Sequence, residues 1–437
     1  MTLHPTAIWQ RLLSSFWFIP SLVTLGSIGF ALGFIELDQR SSDASNLAGF
    51  IYGGGPDGAR AVLSALAGSM ITVVSVTFSV TVVALTVASQ HFGPRLLSNF
   101  MRDKAAQLVL GTFIGTFAYC LVVLRTVRGE SDDISAFVPH LAVTGAMFLA
   151  LTSVAMLIYY VHHVSASMQV SEITAAVATD LERAIERLYP EALGEGMSHG
   201  RGAPPMPPDV AAVEGSDSGY LQSVEADDLF DLAVDCNTVV WLAVRPGDFV
   251  TRGGLIAHVH PPPGDMTNVA RRLNGAIVLG ADRSAHQDAG FPIQQLVEVA
   301  LHALSPGINE PFTAITCVDR LGQGLAMLAR RQTPSALRAD GGGQLRVVTR
   351  PLGFSDLLAA AFDPMRQYAA GEPTVSRHII DVLARLARQS SRPEHLEAIR
   401  RQGQLMAEAA RRSLDADNEI AAIQDAARRL ERALGHA

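Results

Sequence analysis

Carboxylates, amides and hydroxyls gather around one break in a helical pattern: Gln287, Asp288, Ser305, Asn309, Glu310 and Thr313, with Asp319 and Arg320 just beyond. The break is Ser305-Pro306-Gly307-Ile308, and a helix end there exposes backbone N–H groups that could hold a small anion. The same residue types cap helices without any ligand. Asn309 is a natural N-cap, with Glu310 and Pro311 in the first turn. The first six are therefore candidates for a ligand site or an interface. None is a catalytic candidate: Ser305 lacks a GxSxG context, and His302 three residues earlier makes no triad.

Other chemistry is thinner. His258 and His260 fall on one face of an expected strand, and two imidazoles could begin a zinc site. A closed site takes about four ligands, and only Asp265 and the distant His286 and His302 are available, so no metal is expected. Cys120, Cys236 and Cys317 stand far apart and suggest no disulfide framework or thiolate site. Lys104 is the only lysine, and no Gly-Lys-Ser/Thr sequence contains it. A Walker A loop, a Schiff-base lysine and a lysine-attached cofactor arm are thereby disfavoured. No cofactor and no enzymatic activity are expected. A net charge of −8 carries no basic footprint, so nucleic acid is not an expected partner.

A second constellation is a stripe on an apolar helix. No Asp, Glu, Lys or Arg occurs between Arg60 and Arg95, and a helix of that length reaches roughly 50 Å at ~1.5 Å per residue, longer than the ~30 Å apolar core of a bilayer. At about 100° per residue, Gly68, Thr72, Ser75, Ser79, Thr86 and Gln90 share an arc of about 60°. Small and hydroxylated faces let membrane helices pack closely. They also line aqueous paths with neutral ligands. Thr72, Ser75, Ser79, Thr86 and Gln90 are the pore-lining candidates.

Four transmembrane helices are expected, at about 12–35, 61–93, 105–124 and 138–161, within a membrane domain of residues 1–163. The first follows the short N-terminal stretch and has the character of a retained signal anchor. GxxxG pairs at Gly29/Gly33 and Gly111/Gly115 permit close helix contact. The pair His162-His163 suits either interfacial packing or pH sensing. Val164, Met168, Ile173, Val177, Leu181, Ile185 and Leu188 then recur at helical spacing, predicting an amphipathic stalk over 164–189. Its apolar stripe needs cover from this chain or from copies of it. Arginine distribution favours both termini in the cytoplasm of a bacterial inner-membrane protein, with Arg11, Arg95, Arg102, Lys104, Arg183 and Arg187 inside.

Residues 190–219 are rich in Gly, Pro and Ser and read as a flexible linker. A small β module is expected over 220–263, with strands at 220–224, 238–244 and 255–259 and turns at 245–248 and 251–254. The run VRPGDFVTRGGLIAHV resembles hairpins of barrel-sandwich, lipoyl-like modules without the modifiable lysine. Residues 264–437 are expected to be mainly helical, with strands at 276–279 and 345–349. The fold class is thus a multi-pass α-helical membrane domain followed by a cytosolic α+β region with a barrel-sandwich-like module and a helical C-terminal part.

The motifs TFSVTVVALTVASQHFGPRLL, GYLQSVE with VRPGDFV, and RSAHQDAGFPIQQLVEVALHALSPGINEPFTA resemble the bacterial membrane-protein family catalogued as domain of unknown function 2254. Glu310 stands where that family commonly has Asp. The resemblance implies a multi-pass bacterial membrane protein with a soluble C-terminal region and brings no activity with it. From the residues, the expected function is a homo-oligomeric channel or conductance pathway with a cytosolic gate or vestibule, in contact with lipid and with copies of itself. The alternative is a membrane-anchored sensor or scaffold that binds an ion, a small anionic ligand or a partner through 287–313.

Overall fold

The computed structural model describes residues 17–40, 52–92, 103–129, 136–167, 169–190 and 205–435, with side chains in the second segment described to 87. The chain divides into two compact units, Met1–Gln169 and Val170–Ala437.

In the first unit, α1 (Phe18–Arg40), α2 (Pro56–Phe92), α3 (Lys104–Thr126) and α4 (His140–Ser167) are long and apolar enough to cross a membrane. The expected spans are found with their ends moved by a few residues; 12–16 and 93 of the expected spans lie outside the described residues. The hub is α3, which touches the other three helices; 56% of its most apolar window is buried, against 17–22% for the others. Gly111 and Gly115 explain the close approach to α1. A Cβ on Gly111 would lie 2.9 Å from Pro20 Cα, and one on Gly115 would lie 2.5 Å from Ser27 Oγ. The second expected GxxxG pair differs: a Cβ on Gly29 or Gly33 meets nothing within 4 Å. Gly111→Leu is expected to pry α1 from α3 at a cost of about 1–3 kcal/mol, read as loss of the monodisperse peak in detergent size exclusion, whereas Gly29→Leu is expected to leave that peak intact.

Tyr119, Thr116, Ser153 and Tyr160 find polar partners inside this unit, as a hydrocarbon surrounding favours. The Tyr119 hydroxyl donates to Ala142 O at 2.9 Å, Thr116 Oγ1 and Ser153 Oγ lie 3.1 Å apart, and the Tyr160 hydroxyl meets Thr81. Carboxylates fasten the helix ends. Asp38 of α1 accepts from the backbone N–H of Leu141 and Ala142 at 3.0 Å each, capping α4 from outside. Asp103 caps α3 and sits 2.6 Å from His163 Nε2.

The second unit begins with α5 (Val170–Leu188), separated from α4 by a bend at Gln169. The expected continuous stalk is therefore two helices. Its strands are β1 (Ala211–Glu214), β2 (Gly219–Val224), β3 (Val239–Leu242), β4 (Phe249–Val250), β5 (Leu255–His260), β6 (Ile277–Gly280), β7 (Leu337–Ala339) and β8 (Leu345–Val348). Helices α6 (Ala226–Asp235) and α7 (Met266–Gly275) lie between them, followed by α8 (Gly290–Ala303), α9 (Pro311–Ala329), α10 (Phe354–Ala369), α11 (Pro373–Ala387), α12 (Pro393–Ser413) and α13 (Asp417–Gly435).

The strands form a five-stranded sheet, β1-β5-β3-β8-β7, and a three-stranded sheet, β4-β2-β6. Pairing is antiparallel except between β3 and β8. Two expectations change here. Ala211–Glu214, inside the expected linker, is an edge strand, while residues 191–204 of that linker lie outside the described residues. The β region also does not close at residue 263, because β6, β7 and β8 return to it from the helical part. One core joins Leu221 and Val250 of the smaller sheet to Val240, Ile256 and Val259 of the larger, with Leu229, Leu232 and Leu273 from α6 and α7.

The apolar stripe of α5 is covered within its own unit. Ile173, Val177, Leu181 and Ile185 are buried, α5 packs on α8 and α9, and Gly324 makes room for Leu181. Copies of the chain are not needed to cover it.

Candidate functional site

On α2 the packed and polar faces are opposed. Leu63, Ala67, Met70 and Thr77 are buried against the rest of the first unit, and at about 100° per residue they centre roughly opposite the Gly68–Thr86 arc. Thr72, Ser75, Ser79 and Thr86 are all exposed, and a Cβ on Gly68 meets nothing within 4 Å. The side chain of Gln90 lies outside the described residues. Each hydroxyl donates to its own helix four residues back, Ser75 to Ile71 O at 3.0 Å, Ser79 to Ser75 O at 2.9 Å and Thr86 to Val82 O at 2.9 Å. Thr72 does the same to Gly68 O at 3.2 Å. With the proton committed to the helix, each oxygen keeps its lone pairs as an acceptor. Such a row is a neutral, weakly coordinating ladder suited to cations.

The second constellation does not converge. Gln287 and Asp288 precede α8 and Ser305 follows it, so a helix of 14 residues separates them, about 21 Å at ~1.5 Å per residue. Gln287 is structural: its side-chain oxygen accepts from Val224 N–H at 3.0 Å and its amide donates to Val224 O at 3.2 Å. Asp288 is buried. Arg283 Nε and Nη2 donate to its Oδ2 at 2.9 and 2.6 Å, and Gly290 N–H donates to its Oδ1 at 2.9 Å. Burial pushes the Asp288 carboxyl above the ordinary carboxylate range, against the pull of Arg283 and of the Gly290 and Phe291 amides. Gly247 closes over this pair with φ +97°, and a Cβ there would lie 2.4 Å from Asp288 Oδ2. Neither Arg283 nor Gly247 carries a spacing signal that would have marked it in the sequence, because the turn at 245–248 meets Asp288 only through the fold.

At the other end of α8, the turn satisfies itself. Ile308 and Asn309 N–H both donate to Ser305 O at 3.0 Å, and Glu310 N–H donates to Ala303 O at 2.8 Å. Ser305 Oγ donates to His302 O at 2.7 Å, and Thr313 Oγ1 donates to Glu310 Oε2 at 3.2 Å. The N-cap of α9 is Glu310, not Asn309, whose φ of +51° takes the backbone through the left-handed region instead. A carboxylate at that cap, with three of the turn's amides spoken for, makes a poor anion cradle. Asp319 ties α9 to α11 through His378 Nε2 and Arg385 Nη2, both at 2.8 Å.

The histidine pair is also dispersed in role. His260 Nδ1 lies 2.5 Å from Asp209 O, and Asp265 caps α7 by accepting from Asn268 N–H at 2.9 Å. Among the described residues no three His, Cys, Asp or Glu side chains gather closely enough to hold a metal ion.

The comparisons with known proteins agree with the membrane architecture. The family model described as "Predicted membrane protein (DUF2254)" matches residues 13–385. The chain is 34% identical over 428 residues to the uncharacterized protein Mb1321c of Mycobacterium bovis, covering 97% of this chain and 81% of the relative. The uncharacterized protein Rv1290c of Mycobacterium tuberculosis strain H37Rv matches to the same extent. No solved structure matches. A model spanning most of the chain and relatives aligned along nearly all of it lead to one assignment: the chain belongs to the DUF2254 family of predicted membrane proteins.

Proposed function

We propose that copies of this chain assemble in a bacterial inner membrane with α2 turned toward the assembly axis, and that the Thr72–Thr86 stripe lines a cation-conducting path. One observation carries this reading: opposite its packed side α2 carries a continuous row of exposed hydroxyls, Thr72, Ser75, Ser79 and Thr86, bordered by the exposed Ile71, Val82 and Val83, and contact with lipid tails gives such a row no partner. In this reading both termini are cytoplasmic, the second unit forms the vestibule or gate, and its two sheets serve as a barrel-sandwich-like scaffold without catalytic work. Current across a planar bilayer holding the purified oligomer is the test. Discrete openings are expected, and silence under varied voltage, tension and pH would refute conduction.

A second reading, the membrane-anchored sensor or scaffold, draws support from α5. That helix is packed into the second unit on α8 and α9, and only residues 168 and 169 separate it from α4. A ligand-driven shift of the second unit would then reach a membrane helix directly. It predicts that the full chain binds a ligand or partner with an affinity that falls on Asn309→Ala.

A further inference from the structure

Two sets of contacts within the second unit fix which of its ends holds the α8–α9 turn. Gln323 Nε2 donates to Glu182 Oε1 at 2.7 Å, and eight residues further, just past the end of α9, Arg331 Nη1 donates to Tyr189 O at 2.7 Å. The two helices therefore run parallel. Each begins twelve residues before the Gln323–Glu182 contact, so Pro311 and Val170 start level.

The other side of α5 agrees. Arg187 Nη1 lies 3.3 Å from His286 Nδ1, four residues before α8, and from that level α8 runs on to Ala303 while α5 runs back to Val170. Both contacts put the turn from Ser305 to Glu310 beside the first residues of α5.

Val170 is tied by the chain to Ser167, the last residue of α4, and three peptide units reach at most about 11 Å. α4 has 28 residues, about 42 Å at ~1.5 Å per residue, and Tyr159 with His162 and His163 suits the interfacial zone of a span. The turn at this end has the character of an interface anchor. Phe312 is 77% exposed, Pro306 and Gly307 are exposed beside it, and the Ser305 and Ala303 carbonyls hold the loop rigid through Ile308, Asn309 and Glu310.

We propose that the Pro306–Phe312 turn is a membrane-contact surface of the second unit, with the Phe312 ring seated among the lipid headgroups and upper acyl chains. An aromatic ring on a rigid turn is suited to this zone, since it buries apolar area there with little ordering cost. The proposal is independent of whether α2 lines a path.

The test uses the full chain with Cys236→Ser, carrying Phe312→Cys or, as a control, Gly342→Cys in the β7–β8 turn, each labelled with an environment-sensitive fluorophore. Both are reconstituted in phosphatidylcholine–phosphatidylglycerol vesicles. The label at 312 is expected to emit to the blue of the label at 342, to be quenched by doxyl-labelled lipid and to be spared by aqueous iodide. Quenching by iodide without quenching by the lipid probe would overturn the proposal. So would shielding from both, which would mean that protein covers the turn.

Discussion

Asp288→Ala is expected to cost the second unit about 3 kcal/mol, because it strands the Arg283 guanidinium and takes the acceptor from Gly290 N–H at the start of α8. That cost sits at the low end for a broken buried pair, since the Arg283 side chain is 24% exposed and can recruit water while Asp288 is 1% exposed. Asp288→Asn keeps a single acceptor oxygen, enough for Gly290 N–H or for Arg283 but not for both, and turns an NH2 donor toward the other, so its cost is expected to be only a little smaller. The contact between Gly247 and Asp288 predicts coupling as well. Gly247→Ala puts a methyl group where the carboxylate stands, so part of its damage should vanish in an Asp288→Ala background. Denaturant titration followed by Trp241, on β3 at the centre of the larger sheet, measures all of these. An alanine variant within about 0.5 kcal/mol of the wild type would mean that the pair is not structural.

The larger functional effect is expected at Ser79, where two substitutions separate three surroundings. If the stripe lines a path, Ser79→Leu removes an acceptor and narrows the lumen once per subunit, so conductance should fall at least about tenfold. Ser79→Asp adds a carboxylate per subunit and should raise preference for cations over anions. If the stripe faces lipid instead, Leu is harmless while Asp near the middle of the span costs about 2.5–3.5 kcal/mol and depresses insertion. If it is a dry contact between copies, both substitutions break the oligomer. Single-channel recording together with the yield of inserted protein distinguishes the three outcomes.

Much of the membrane unit was legible in the sequence. Charge-free runs mark helices because a bilayer penalises charge, and the hydroxyl arc on α2 follows from helical periodicity alone. Hydropathy could not rank the helices by burial. Lipid tails and protein interiors are equally apolar, so hydropathy does not show that α3, with Gly111 and Gly115, is the hub and that α2 is not. Of two GxxxG pairs with the same spacing, only the one on α3 meets a neighbour, and spacing alone does not decide that.

The second unit was legible element by element and not in its assembly. Most strands and helices fall within a few residues of their expected positions, yet β8 pairs with β3 from about a hundred residues away, and β1 hides beside prolines that argued for a linker. The candidate cluster divides for a geometric reason. Gln287, Asp288, Ser305 and Thr313 are near in sequence, but α8 between them is a rigid spacer, so they divide into a buried ion-pair region and an exposed turn. Arg283, which completes the buried pair, sits five residues before Asp288 in a loop, outside any helical or strand period.

A cysteine scan along α2 in native membranes, on a Cys236→Ser background, tests the outward stripe most directly. Cys317 is buried, with its thiol pushed up to about 12, and Cys120 is buried within α3, so neither competes. Cysteines at Thr72, Ser75, Ser79 and Thr86 are predicted to form disulfide-linked dimers on mild oxidation, while one at Val80, exposed on α2 but about 100° from Ser79, is predicted to form none. Monomers at all four stripe positions, or equal dimerisation at Val80, would contradict an assembly in which this face of α2 meets its copies.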